Sequence, residues 1–191
     1  MYAFEILDMS QFIRATKQFF TSNMNYYSPV TDSDLQWITA NNDSFFKLGT
    51  GDKSLNDTVS VTISSSNQAL IRSVWFLAPF DMTVTNISGI VQDDDFSSHT
   101  DKYYIGIWTM AGFGASGDTP AEETGSSTLT LKYVTQDYVS ASLGDAAMGF
   151  YDSSPSLSLS AGDAVWAGHL NSRFDGVDAM TLTMTLCAEK D

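Results

Sequence analysis

The chain has 191 residues, with 9 Lys and Arg against 23 Asp and Glu, a formal net charge of −14. Such a surface repels phosphate backbones and anionic lipid, and no apolar run approaches the roughly 20 residues of a membrane helix, so neither nucleic acid nor membrane is expected as a partner. Apolar residues at 43% and aromatics at 13% are too many for a disordered chain, and the length suits one domain with a substantial core.

Nineteen of the 23 acids are Asp and four are Glu, and Ser and Thr together number 44. Asp and Ser favour turns and caps, and Thr favours strands, so the composition reads as β. The single cysteine, Cys187, removes an intramolecular disulfide framework. Met1 leads into Tyr-Ala-Phe-Glu without a basic or apolar leader, so no secretory signal is expected. The Asn-x-Ser/Thr matches at Asn56 and Asn86 then read as chance.

In chain order, residues 1–55 read as an N-terminal arm or lid. Met9, Phe12, Ile13, Thr16 and Phe20 fall near helical spacing behind Ser10 as an N-cap, which predicts a short helix over 10–20. It is too short to stand alone and must pack on its own domain or on a neighbour. Both placements stay open at this point: a lid over the chain's own core, or an arm that docks on another subunit.

From residue 56 the period becomes two. Val59, Val61 and Ile63 alternate with hydroxyls; Met82, Val84 and Asn86 form the next run, with Ile87 and Ile90 following across Gly89. Further runs are Tyr103, Ile105 and Ile107; Leu129, Leu131 and Tyr133; and Met180, Leu182, Met184 and Leu186 alternating with three threonines. Each reads as a half-buried strand. Turn signals such as Pro79-Phe80-Asp81, Gly162-Asp163 and Asp175-Gly176 separate them. The prediction is an antiparallel, jelly-roll-like sandwich of about eight strands over 56–191, with Ala111–Ser127 as its longest loop.

Catalytic signatures are missing. There is no nucleophile elbow, P-loop or dinucleotide fingerprint, and His99 and His169 are the only histidines. Cys187 sits at the terminal strand and reads as a small buried hydrophobe. Asp93-Asp94-Asp95 reads as a solvated acidic loop, since in an extended segment only Asp93 and Asp95 converge on a cation. Glu122 and Glu123 are adjacent in a loop and cannot span a glycosidic bond as a catalytic pair. No enzyme activity, metal or cofactor is expected. Trp75, Tyr103, Tyr104, Trp108 and Trp166 are candidate ligand-stacking or interface aromatics, and core positions for the same residues are the competing reading.

Leu157-Ser-Leu-Ser-Ala-Gly162-Asp163-Ala-Val-Trp166 reads strand, tight turn, strand. With the alternating terminal strand after it, this stretch resembles the C-terminal part of C1q/TNF-like jelly rolls and of β-sandwich virion proteins of tailed phages. Ile71–Val84, with its Ala-Pro-Phe-Asp turn, is similar to the same proteins. The resemblance covers about 70–191 and carries over no functional residue. It implies sandwiches packed as a homotrimer around a threefold axis.

The expectation is therefore a non-enzymatic virion protein, a capsid decoration (cement) protein assembled in the host cytoplasm, whose partners are copies of itself and the major capsid protein. Phe4, Ile6, Phe12, Ile13, Phe19 and Phe20 would be the arm residues that dock. The alternative is a receptor- or carbohydrate-binding head of a tail fibre or lectin-like module, using the 111–127 loop and the aromatics.

Overall fold

The computed structural model describes residues 18–27, 31–32, 36–41, 44–50, 53–64, 67–93, 102–113, 125–135, 138–139, 147–171, 174–175 and 179–191. The first half supplies β1 (Gln18–Tyr27), β2 (Thr31–Asp32), β3 (Gln36–Asn41), β4 (Ser44–Thr50), β5 (Thr58–Ile63), helix α1 (Gln68–Arg72), β6 (Phe76–Leu77) and β7 (Met82–Asp93). The second half supplies β8 (Lys102–Met110), β9 (Gly125–Val134), β10 (Tyr138–Val139), β11 (Ala147–Asp152), β12 (Leu157–Leu159), β13 (Ala164–Asn171), β14 (Phe174–Asp175) and β15 (Ala179–Lys190). The fold is all-β.

Two antiparallel sheets carry the architecture. The first runs β1-β15-β7-β11, with β12 continuing beyond β11 along the same edge of β7. The second runs β4-β3-β13-β8-β9-β5, with β6 beside β13 and β10 beside β8. Counting β11 and β12 as one interrupted strand, the eight main strands are β1, β3, β7, β8, β9, β11–β12, β13 and β15. They fall in the first, second, first, second, second, first, second and first sheet. This is the connectivity of a jelly roll, with β4 and β5 added at the edges of the second sheet.

Residues 18–50 contribute to both sheets: β1 pairs β15 along its whole length, and β3 pairs β13 and β4. The helix expected over 10–20 is corrected at its end, because Gln18, Phe19 and Phe20 begin β1; residues 10–17 lie outside the described residues. The pairing partner decides the matter. The long β15 offers a ladder of backbone hydrogen bonds, and that outweighs a weak local helical spacing.

The core between the sheets takes Met82, Val84 and Ile87 from β7, Leu182, Met184 and Leu186 from β15, and Ile105, Ile107, Val165 and Ala167 from the second sheet. A bulge sets the phase of β7. Cys187 lies opposite Asn86 and Ala188 opposite Val84, which leaves Thr85 as the extra residue. Its hydroxyl donates to the Cys187 carbonyl at 3.3 Å. The expected alternation Met82, Val84, Asn86 is thus shifted: Ile87 turns inward, Asn86 is only half-buried and Ile90 is exposed.

The second sheet is buried on both faces. Trp108 and Met110 of β8, and Ala164, Trp166 and Leu170 of β13, point away from the first core into another that includes Trp37, Leu48, Val61, Ile63, Leu70, Leu129 and Leu131. Every residue from 105 to 110 and from 164 to 170 is buried as a result. Helix α1 covers this far face, packing against β4 and β5. Five residues cannot hold a helix by themselves. Leu70 anchors it, and the Leu70 carbonyl in the last turn receives the Trp166 indole N–H at 2.9 Å and the Ser73 hydroxyl at 2.8 Å beside the Ser73 backbone N–H at 3.2 Å. The Ser73 hydroxyl also meets that of Thr39 on β3 at 3.2 Å.

Candidate functional site

The tryptophans expected as ligand or interface aromatics divide. Trp108 and Trp166 are fully buried in the second core, with relative exposure of 0%. They are core residues, because strands β8 and β13 are covered on both sides. Trp37 and Trp108 meet edge to face, with centroids 5.5 Å apart at 79°, and Phe113 meets Trp166 at 6.1 Å. Such T-shaped pairs suit the ring quadrupoles. The indole N–H groups of Trp37 and Trp108 have no hydrogen-bond acceptor among the described residues, a cost of about 1–3 kcal/mol each that the burial of the rings must offset.

Trp75 is half-buried, packs on the first core and meets Phe76 at 5.3 Å. Tyr104 is half-buried against the second core. Tyr103 holds a register position opposite Asn171 and Tyr138, and its side chain is outside the described residues. Of the arm residues, Phe19 and Phe20 sit in β1 opposite Cys187 and Leu186, paired within their own chain. Phe4, Ile6, Phe12 and Ile13 lie outside the described residues.

The titratable groups are dispersed. His169 is fully buried, and loss of solvation holds its imidazole down at about 3, so it is neutral at physiological pH. Cys187 is buried and reduced. Among the described residues there is no group of three or more His, Cys, Asp or Glu placed to hold a metal ion. Of the Asp93–Asp95 run only Asp93 is described, in β7 opposite Met180. His99, Glu122 and Glu123 lie outside the described residues.

Among the described residues, a cleft of about 610 Å³ opens where β8, β9 and β12 converge. Thr128, Thr130 and Lys132 line it from β9, spaced by two and so on one face of the strand. Ser158, Ser160 and Asp163 line it from β12 and the turn that follows. Thr109, directly opposite Thr130 in register, is buried against its floor.

The turn at the rim is held on several sides. Gly162 takes φ +85°, as the third position of a type II turn demands, and the Asp163 N–H closes the turn onto the Ser160 carbonyl at 3.0 Å. The Asp163 carboxylate accepts the Ser160 N–H at 2.9 Å, and that of Asp81 accepts the Ala161 N–H at 2.8 Å. Backbone bonds in both directions tie Ala78 to Gly162 and Asp163 at 2.8 Å each. The Gly-Asp turn singled out in the sequence is therefore a rigid wall of the cleft. Among the described residues the lining offers hydroxyls and one charge of each sign, and neither histidine nor cysteine. Sequence alternation marked the hydroxyls of β9 and β12 as the solvent side of two strands; their meeting across the sandwich mouth is a tertiary event.

No protein-family model matches the chain, and no curated protein and no solved structure matches it either.

Proposed function

We propose that the chain is a non-enzymatic virion structural protein, a jelly-roll module that trimerises and decorates a capsid surface. The observation that carries this reading is an exposed apolar pair on the outer face of the first sheet. Ile90 and Tyr151 are 54% and 72% exposed, on the adjacent strands β7 and β11. Gly149 stands directly opposite Ile90 in register, so no side chain on β11 shields the isoleucine there. An exposed apolar patch on a paired sheet fits a subunit contact better than solvent. Jelly rolls serve capsid and lectin domains alike, and fold by itself does not choose between them. The buried Trp108 and Trp166 weigh against the alternative in which those rings stack on a receptor sugar.

The arm has to be redrawn for the test. Removing residues 1–25 would delete most of β1 and damage the first sheet. Removing 1–16 leaves β1 whole and still takes away Phe4, Ile6, Phe12 and Ile13. The experiment is light scattering after size exclusion, followed by binding to capsids stripped of the chain. A trimer that Tyr151→Ser dissociates, with capsid binding lost in the 1–16 deletion, is the expected result. A monomer both free and on the capsid, or undiminished binding by the deletion, overturns the proposal.

A further inference from the structure

We propose that the cleft between β9 and β12 binds a neutral saccharide through its hydroxyls, independently of whether the chain decorates a capsid. Three features lead there. The first is the inventory: Thr128, Thr130, Ser158 and Ser160 each donate and accept, Lys132 only donates, and ionised Asp163 only accepts. A vicinal diol both donates and accepts at each oxygen, so this set can satisfy a sugar face from several sides. The second is rigidity. Four lining residues stand on β9, and the Ser160–Asp163 turn is fixed by Asp81, Ala78 and its own internal bonds, so little ordering entropy opposes binding. The third is size: about 610 Å³ lies within the range of small-ligand sites and admits a di- or trisaccharide.

Other ligand classes fit less well. An apolar molecule would strip water from hydroxyls without replacing their hydrogen bonds. An acidic ligand would meet one lysine against the Asp163 carboxylate, on a chain of net charge −14. No aromatic ring among the described residues lines the cleft, so affinity rests on hydrogen bonds and falls in the millimolar range.

The test is a titration of the isotopically labelled full chain by amide chemical shifts, with maltose, lactose and cellobiose, and with sialyllactose and inorganic phosphate as acidic probes. At least one neutral disaccharide should give saturable shifts at Thr128–Lys132 and Ser158–Asp163. The double variant Thr130→Val, Ser158→Ala should weaken that response about tenfold, as two lost hydrogen bonds imply. Valine keeps the β-branch, and Ser158 and Ser160 are exposed, so Ser160→Ala is a second variant that leaves the fold intact if the first does not. No saturable shift with any neutral sugar, shifts centred elsewhere, a response to phosphate or sialyllactose alone, or unchanged binding in the folded variants would each overturn the proposal.

Discussion

Gly106 of β8 lies against the six-membered ring of Trp37: a Cβ at that glycine would stand 2.8 Å from both Cη2 and Cζ3, and 2.9 Å from a Leu131 methyl. Its cross-strand partner is another glycine, Gly168, where a Cβ would meet the Ile38 carbonyl at 2.9 Å. The missing side chains at this pair are what let Trp37 and Trp108 lie close on the sheet. Gly106→Ala should therefore overpack the second core and cost about 1–3 kcal/mol, read as a lowered urea midpoint with an unchanged slope. A wild-type midpoint would show that the tryptophans have room to move.

The Trp166 indole joins β13 to the end of α1. Trp166→Phe keeps much of the ring volume and removes the donor to the Leu70 carbonyl. The expected loss is about 1–3 kcal/mol, with faster amide exchange in Gln68–Ser73 than in β7 or β15. Uniform loss of protection over the whole chain would show that α1 has no separate dependence on this bond.

His169 gives the fold a pH dependence of known sign. Its folded value of about 3 lies below the unfolded value of 6.5, so between these the unfolded chain binds more protons than the folded one. Its contribution is complete above pH 6.5, declines as the pH falls through that window, and is exhausted near pH 3. The loss for so large a shift is several kcal/mol, on the order of 4–5 at most. Carboxylates also titrate in the lower part of the window, so the useful quantity is the difference between wild type and His169→Leu. The variant should lose stability less steeply from pH 6.5 to 5. Parallel curves would show that His169 is hydrated in solution.

Gly162 at φ +85° holds the turn that walls the cleft. Gly162→Ala places a Cβ in a left-handed conformation and should cost about 1–2 kcal/mol. Thermal unfolding measures it, and an unchanged midpoint would mean that the turn reverts to another type at no cost.

Several elements were legible in the residues themselves. Leu129-x-Leu131, Leu157-x-Leu159 and Leu182-x-Met184-x-Leu186 alternate with polar residues, and each is a strand with those side chains buried. Asp163 and Gly162 announced their turn for the same local reason, since turn type depends on residues within four positions. The helix expected over 10–20 is overturned at 18–20, where β1 begins, because the spacing of four apolar residues says nothing about a strand 160 or more residues away.

The all-β class, the positions of β5, β8, β9, β12 and β15, and the Gly-Asp turn were thus determined by the sequence alone, because alternation and turn chemistry act over a few residues. Only the tertiary structure decided that Thr85 bulges and turns Ile87 inward, that Trp108 and Trp166 enter a second core, and that the hydroxyls of β9 and β12 share one cleft. Each of these depends on which strands pair and in what register. Such long-range choices are set by the packing of both sheets together, and no single segment encodes them.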